Sequence, residues 1–364
     1  MEAVTKPIAE LLAAVPRQAK VKSSEYQKEG EFPIIDQSQD AIAGYCDDPG
    51  MLYQGDLPVV VFGDHTRVLK YINFPFCIGA DGTQLLRPLD GNDIRYFYYA
   101  LKNVDLRNYG YERHFKYLKQ ETISLPPLPE QKRIAGILSA YDELIENSQR
   151  RIKVLETMAR NLYREWFVHY RNPGHENTPL IPSPLGDIPK GWEVMKLGEI
   201  LELNYGKALK KEDRRDGKFP VYGSSGIVGT HDSKLIEGPG IIVGRKGNVG
   251  SVFWCDDDFY VIDTAYFVTS SLPLRFLFYV LPTLNFINSD AAVPGLSRNQ
   301  AYTLEILVPP LVLLTKFCAL ADTFEGQVAT LQRQIQNLRR TRDLLLPRLL
   351  SGQIPLQTPA TQVA

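Results

Sequence analysis

The residues best suited to chemistry lie in two short glycine-containing loops, each of which follows an apolar run. One loop is Gly63-Asp64-His65-Thr66-Arg67, and the other is Gly244-Arg245-Lys246-Gly247-Asn248-Val249-Gly250. Glycine lets a backbone approach a ligand closely, while arginine, lysine and asparagine reach phosphates or base edges. The pattern therefore predicts DNA contacts, and the candidates are Asp64, His65, Thr66, Arg67, Arg245, Lys246 and Asn248.

Other interpretations of these loops stay open. The second loop superficially suggests a nucleotide-binding loop, but the G-x-G-x-x-G spacing is absent and no Gly-Lys pair precedes Ser or Thr. Asp64 and His65 could perform acid/base catalysis, although no nucleophile or partner motif accompanies them. Either loop could also be a solvated turn.

Further candidates lie in one basic window and in the polar stretches before two predicted helices. Residues 207–218 hold six basic and three acidic side chains, which favours phosphate contacts over a merely solvated loop. The polar stretches could face a DNA duplex, although the tyrosines there could instead pack their rings against the protein with the hydroxyl group in water. The candidates are Lys207, Lys210, Lys211, Arg214 and Arg215 in the window, Tyr111, Arg113, His114 and Lys116 before the first helix, and Arg298 and Asn299 before the second.

An internal repeat organises the elements that must position these residues. The segment Ile123–Leu128 returns as Ile306–Leu311, and an offset of 183 residues superimposes the amphipathic runs that follow. Apolar positions there step by four and three alternately, as in a coiled coil. Two stripes in register favour antiparallel pairing within the chain, because a globular half intervenes between them. The predicted seam is Ile134, Leu138, Tyr141, Ile145, Ile152, Leu155, Leu162 and Trp166, with Phe317, Phe324, Val328, Leu331, Ile335, Leu338, Leu345 and Leu349.

Composition sets broad limits. The chain has 364 residues, of which 44% are hydrophobic and 23% charged, so we expect two soluble domains plus helices. No apolar stretch is long enough for a membrane helix and no signal pattern opens the chain, so we expect a cytoplasmic protein. The four cysteines are widely spaced, which predicts reduced thiols without a disulfide framework or metal site. The net charge of −1 argues weakly against nucleic-acid binding, but a local basic face is compatible with it.

Four further motifs bear on the identity of the chain. They are Pro126-Pro127-Leu128-Pro129-Glu130-Gln131-Lys132-Arg133-Ile134, Arg164-Glu165-Trp166-Phe167-Val168, Ile188-Pro189-Lys190-Gly191-Trp192-Glu193-Val194 followed by Leu197-Gly198-Glu199-Ile200, and Arg342-Asp343-Leu344-Leu345-Leu346-Pro347-Arg348-Leu349-Leu350-Ser351-Gly352. Together they resemble the specificity (S) subunit of type I restriction-modification systems. The resemblance covers nearly the whole chain, and the combination is more specific than any single motif.

The resemblance implies an α+β fold: two mixed α/β target recognition domains joined by two long antiparallel coiled-coil helices, with a pseudo-twofold internal repeat. The expected segments are the first recognition domain at 1–125, the first spacer helix at 126–170, a proline-rich connector at 171–190, the second recognition domain at 191–305, the second spacer helix at 306–352 and a disordered tail at 353–364. The first half has no counterpart of Trp192. We therefore expect its recognition domain either to lack a starting strand or to use Ile8–Val15 instead.

The resemblance also implies a function. In that family one domain reads each half-site of a bipartite DNA target, and the imperfect match between the halves predicts an asymmetric target. The implied subunit is non-catalytic, needs no cofactor and binds double-stranded DNA, two modification (methyltransferase) subunits and restriction (endonuclease/translocase) subunits, but no membrane. The alternatives are a fragment of a fused restriction-methylation enzyme and a structural coiled-coil scaffold.

Overall fold

The chain divides into two compact units. The computed structural model describes residues 3–108, 110, 112–286 and 295–356. One unit comprises Met1–Gln149 with Arg333–Ala364, and the other comprises Arg150–Gln332. Each unit therefore contains one strand-rich domain and a part of each long helix.

The described residues of the first unit form eight strands: β1 (Val4–Pro7), β2 (Phe32–Ile35), β3 (Gly44–Cys46), β4 (Val59–Gly63), β5 (Leu69–Ile72), β6 (Cys77–Ile78), β7 (Thr83–Leu86) and β8 (Thr122–Leu125). They make three small sheets, with strand orders β1-β8, β3-β2-β6 and β5-β4-β7. The described pairs are antiparallel except β2 with β6. The helices are α1 (Ile94–Lys102), α2 (Phe115–Leu118) and the first part of α3 (Leu128–Tyr163), the first long helix.

Over its described residues, the second unit has the plan of the first with three additional strands. The strands are β9 (Leu180–Ile181), β10 (Ile188–Pro189), β11 (Glu193–Lys196), β12 (Leu201–Tyr205), β13 (Phe219–Gly223), β14 (Gly226–His231), β15 (Gly240–Gly244), β16 (Val252–Cys255), β17 (Tyr260–Val261), β18 (Ala265–Ser270) and β19 (Glu305–Val308). Its sheets have the orders β11-β19, β14-β13-β17 and β12-β18-β15-β16, and a separate pair, β9 with β10, lies within residues 171–190, so the additional strands are β9, β10 and β12. The helices are α4 (Leu197–Ile200), α5 (Leu274–Val280), α6 (Arg298–Ala301) and the first part of α7 (Leu311–Leu350), the second long helix.

The repeat extends from sequence to topology. The order β1-β8 corresponds to β11-β19, and in both units a central strand pairs with one antiparallel and one parallel neighbour. The first domain has a starting strand, Val4–Pro7, whose register joins Val4 to Leu125. We expected this strand to be missing or to be replaced by Ile8–Val15, and both expectations were wrong. The strand forms without a counterpart of Trp192 because its backbone hydrogen bonds to β8 are sufficient. Ile8–Leu11 forms a 3-10 turn after it.

Both long helices begin after a Pro-Pro pair. The Pro127 carbonyl accepts hydrogen bonds from the Glu130 and Gln131 amides, and the Pro310 carbonyl accepts them from the Leu313 and Leu314 amides. Since proline fixes its own backbone angle and lacks an N–H group, it suits the first turn of a helix. Glycine at position 352, with a positive φ of 74°, follows the end of α7.

The two long helices pack antiparallel in each unit. In the first unit, Ile134 and Leu138 near the start of α3 share a core with Leu346 and Leu349 near the end of α7. In the second unit, residues 159–167 at the other end share a core with Leu314, Phe317, Cys318 and Ala321 near the start of α7. Every predicted seam residue is buried or half-buried. Ile354 and Leu356, within the tail predicted to be disordered, pack against the first unit's core, whereas residues 357–364 lie outside the described part of the chain.

Candidate nucleic-acid interface

The second unit contains a polar pocket of about 510 Å³. Four separate parts of the chain form it: the end of β12, the loop after β15, the start of β18, and the segment that leads into and begins α6. Its lining residues are Tyr205, Arg245, Lys246, Tyr266, Gly295, Leu296, Ser297, Arg298 and Asn299. The structure thus brings together candidates from both the glycine loop and the helix entry.

Two arginines stack on one tyrosine in this pocket. The Cζ atom of Arg245 lies 4.7 Å from the centroid of the Tyr205 ring, and that of Arg298 lies 4.4 Å from the same centroid. The Tyr205 side chain nevertheless remains 47% exposed. Such contacts are cation–π interactions, and arginine favours them because its guanidinium group is planar and weakly hydrated.

Backbone hydrogen bonds hold the pocket in place. The Arg245 amide donates to the Thr264 carbonyl at 2.9 Å, and the Leu296 amide donates to the Arg245 carbonyl at 2.8 Å. The Tyr266 hydroxyl donates to the Leu296 carbonyl at 3.0 Å. Burial raises the pKa of Tyr266 to about 12, so this hydroxyl keeps its proton, and can donate the hydrogen bond, above the pH of about 10 at which an ordinary tyrosine ionises.

The glycine loop is held by its own backbone. The Gly250 amide donates to the Gly244 carbonyl at 2.9 Å, and the Gly244 amide donates to the Ser251 carbonyl at 2.7 Å. A Cβ atom at Gly244 would lie 2.1 Å from the Asn248 carbonyl oxygen, so only glycine fits there. Asn248 is exposed, and the Lys246 ammonium lies 3.6 Å from the Asp263 carboxylate.

The basic window contains both free and engaged cations. Lys207, Lys210 and Lys211 are exposed. Arg214 instead holds the β13–β14 hairpin, since its Nη1 atom donates to the Val228 carbonyl at 2.6 Å. Arg215 is exposed and lies 3.7 Å from Asp232. The lysines are therefore better placed than Arg214 to contact phosphates.

In the first unit, two predicted contact residues are interior. Asp64 is 2% exposed and His114 is fully buried. The Asp64 Oδ1 atom accepts a 2.8 Å hydrogen bond from the Phe115 amide, and the Asp64 carbonyl accepts one from the His114 amide. A buried carboxylate requires such donors. Because neither side chain reaches the surface in this structure, we assign both to positioning the loop and not to DNA contact.

The remaining candidates of the first unit have mixed surroundings. His65 and Arg113 are exposed, whereas Thr66 donates to the Gln37 carbonyl and Arg67 donates to the Leu106 carbonyl. Lys116 is exposed and forms a 2.7 Å ion pair with Glu112. Tyr111 lies outside the described residues.

Asp64 and Arg245 occupy equivalent positions in the two units. Each is the first residue after a buried strand, β4 or β15. The Asp64 amide donates to the Gly82 carbonyl at 2.7 Å, just as the Arg245 amide donates to Thr264. Each side chain also meets the second residue of the neighbouring strand: Gln84 lies 3.5 Å from Asp64, and Tyr266 lies under Arg245 at 5.8 Å. The same backbone position thus carries a carboxyl group in the first unit and a guanidinium group in the second.

Sequence reasoning missed Tyr205, which lies at the centre of the arginine cluster. The alternation Leu201-Glu202-Leu203-Asn204-Tyr205 is typical of a strand, and it ends two residues before the basic window. The position of Tyr205 at the end of a predicted strand, next to the basic window, was the signal that could have identified it from the sequence. The ring belongs to β12, which pairs with β18; among the described residues of the first unit, the corresponding edge beside β7 carries an isolated bridge, Leu12 with Pro88, in place of a strand.

Two features are absent from the described residues: a cluster of potential metal ligands and a helix that could span a membrane. Over residues 3–108, 110, 112–286 and 295–356, no group of three or more His, Cys, Asp or Glu side chains is placed to bind a metal ion. In the same ranges, no helix is long and apolar enough to cross a bilayer. The four cysteines are buried free thiols.

Comparison with known proteins identifies relatives of both domains. Residues 3–157 and 189–313 each match the family model of the type I restriction modification DNA specificity domain. The chain is 27% identical over 318 residues to the type I restriction enzyme MjaIX specificity subunit of Methanocaldococcus jannaschii, covering 76% of this chain and 72% of that one. It is 24% identical over 279 residues to the putative MjaX specificity subunit of the same organism, covering 66% and 61%.

A solved structure has the same fold. The crystal structure of a type I restriction-modification S subunit from M. genitalium superimposes with a TM-score of 0.64 at 19% sequence identity. The match covers 98% of this chain and 97% of that one.

Proposed function

The chain belongs to the type I restriction-modification DNA specificity family, and we propose that its two domains each read one half-site of a bipartite, asymmetric DNA target. Family membership implies a non-catalytic role in DNA recognition. The two domains correspond to the two matched segments, residues 3–157 and 189–313. Their boundaries are proposed at 1–125 and 191–305, with the long helices and a connector between them.

The observation that carries the proposal is the equivalence of Asp64 and Arg245. Two domains with the same topology present a buried, hydrogen-bonded carboxylate in one case and a stacked guanidinium in the other. DNA bases differ in their pattern of hydrogen-bond donors and acceptors. Domains with unlike side chains at matching positions therefore favour unlike half-sites over a palindrome.

The proposed contact surface differs from the sequence-based one. It retains eleven of the polar side chains predicted from the sequence and adds the tyrosine on which two arginines lie. The proposed contacts are His65, Arg113, Lys207, Lys210, Lys211, Arg215, Arg245, Lys246, Asn248, Arg298, Asn299 and Tyr205. Lysines suit phosphates, which fix position, and the arginines and asparagines suit base edges.

The chain's partners follow from the same premise. We propose that it binds double-stranded DNA together with two modification subunits, and that restriction subunits join this assembly. In this scheme, adenine methylation and ATP-dependent cleavage are activities of the partner subunits, exercised in the cytoplasm. The helices α3 and α7 would set the number of unread base pairs between the half-sites.

The decisive experiment is single-molecule methylation sequencing of DNA from cells that express the chain with its cognate modification subunit. We expect a methylated motif with two unlike half-sites and an unspecified gap. Cells that express the modification subunit alone are the control. A contiguous or palindromic motif would contradict the proposal, and an absence of sequence-selective, salt-dependent binding would favour a structural scaffold.

A further inference from the structure

The Arg245–Tyr205–Arg298 cluster has the chemistry of a guanine-recognition site. Guanine presents two acceptors, O6 and N7, on its major-groove edge, and a guanidinium group can donate to both at once. Adenine places a donor in the position of O6, which a guanidinium would repel. The guanidinium donors of this cluster therefore favour guanine among the bases.

Most donors of the two arginines remain available. Within the described residues, the side chain of Arg245 donates one hydrogen bond, from Nη1 to the Asp263 carbonyl at 3.1 Å. The side chain of Arg298 likewise donates one, from Nη1 to the Leu203 carbonyl at 3.3 Å. Each guanidinium carries five N–H donors, so each retains enough for a bidentate contact.

The tyrosine fixes how these donors are presented. Both Cζ atoms lie within 5 Å of the Tyr205 ring centroid, so contact with the ring restricts where both guanidinium groups can lie. A restricted planar group loses little entropy when it forms two parallel hydrogen bonds. A phosphate contact needs only positive charge, which the exposed lysines Lys207, Lys210 and Lys211 supply in the same domain.

We propose that Arg245 and Arg298, held by Tyr205, read guanine through the major groove in the half-site bound by the second domain. This inference rests on the proposed DNA-recognition function and specifies which base the site selects. The equivalent position of the first domain cannot serve this purpose, because Asp64 there is buried and accepts the Phe115 amide.

The test uses the assembled complex of the full chain with its modification subunits and duplexes that carry the mapped target. Each guanine is replaced singly by 7-deazaguanine, which removes the N7 acceptor but preserves base pairing. We expect at least one guanine, within a single half-site, at which this replacement weakens binding by between about fivefold and 150-fold. Hypoxanthine at the same place retains O6 and N7, so it should be tolerated.

Arg245→Lys and Arg298→Lys complete the test, since each preserves the charge and loses the bidentate geometry. We expect one of these variants to bind the guanine and 7-deazaguanine duplexes equally, with an unchanged salt dependence, because the lost interaction is the one that the base analogue removes. Lys234→Arg, at a lysine paired with Glu237 and Asp258, is the matched control. We expect 7-deazaguanine to weaken its binding as much as it weakens binding of the wild type.

Two results would overturn the inference. One is that replacement by 7-deazaguanine does not weaken binding at any guanine of the target. The other is that 7-deazaguanine weakens binding of both lysine variants as much as it weakens binding of the wild type. That result would show that the arginines contact phosphate or only support the fold. A failure of the proposed function is distinguishable, because then the wild-type complex would show no bipartite target, and the inference would fall with it.

Discussion

The hydroxyl of Tyr279 on α5 donates a 2.5 Å hydrogen bond to the carboxylate of Glu325 on α7. Tyr99 on α1 makes the same contact with Asp142 on α3, also at 2.5 Å, in the other unit. One helical turn before each tyrosine, an arginine pairs with the same long helix: Arg275 with Asp322 at 2.7 Å, and Arg95 with Glu143 at 2.9 Å. Each recognition domain is thus attached to a long helix by a repeated tyrosine and arginine pair.

Removal of the tyrosine hydroxyl should loosen this attachment. Tyr279→Phe removes a hydrogen bond to a charged group, which contributes about 1–3 kcal/mol. We expect the free energy of unfolding of the second unit to fall by that order, as measured by urea denaturation. Tyr260→Phe is the matched control, because within the described residues no hydrogen bond of the Tyr260 hydroxyl is formed. Equal losses in the two variants would show that the Tyr279 bond contributes nothing.

Alkaline pH should weaken the same contacts. Burial, reinforced by the neighbouring carboxylates, raises the pKa of Tyr99 and of Tyr279 above the ordinary value. Because the folded-state pKa exceeds the unfolded value of about 10, this stability is fully present below about pH 10 and is lost as the pH rises further. Urea unfolding between pH 8 and about 11.5 should therefore show a steeper decline for the wild type than for a Tyr99→Phe/Tyr279→Phe variant. Parallel curves would contradict the assignment.

Longer helices should lengthen the gap in the target. Insertion of one heptad after Gln149 in α3 and after Gln332 in α7, at the boundary between the units, adds about 10 Å to each helix. At 3.4 Å per base pair, the gap should grow by about 3 base pairs. Methylome mapping of the insertion variant measures this directly. The same insertion in α3 alone breaks the pairing register and should abolish methylation, whereas an unchanged gap in the double insertion would refute the role of the helices.

Gly244→Ala should disrupt the second domain's loop. The added Cβ atom would lie 2.1 Å from the Asn248 carbonyl oxygen and 2.3 Å from Ser251 Oγ, so the backbone must shift. We expect weaker target binding in a gel-shift assay of the assembled complex. Gly326→Ala is a control at which a Cβ meets nothing within 4 Å, on an exposed helix surface, and it should instead stabilise by up to about 1 kcal/mol. Unaltered binding by Gly244→Ala would show that the loop is not part of the interface.

Substitution of Lys207, Lys210 and Lys211 by alanine should weaken binding to all sequences alike. Each lost phosphate contact reduces the magnitude of the slope of the log binding constant against the log salt concentration by about 0.9. The magnitude of the slope for the triple variant should therefore be smaller than that of the wild type by up to about 3. Lys234→Ala removes a cation already paired with two carboxylates and should leave the slope unchanged. A triple variant with the wild-type slope would place these lysines away from the phosphates.

The sequence by itself determined the elements whose signals are local. The alternating three- and four-residue spacing and the Pro-Pro entries predict two long helices, and the structure has them at Leu128–Tyr163 and Leu311–Leu350. The repeated motifs also sufficed to identify the family. Helix periodicity and proline geometry act over a few residues, so neither requires knowledge of the fold.

Tertiary structure alone decided which polar residues belong to a site. Arg245 and Arg298 are distant in sequence, and the fold brings both guanidinium groups to the Tyr205 ring on β12, while the Leu296 amide donates to the Arg245 carbonyl. Asp64 and Arg245 follow similar apolar strands, yet Asp64 is buried because the Phe115 amide satisfies its carboxylate. Burial and hydrogen-bond partners depend on contacts between distant segments, and for that reason the composition of a loop does not reveal which of its side chains reach the surface.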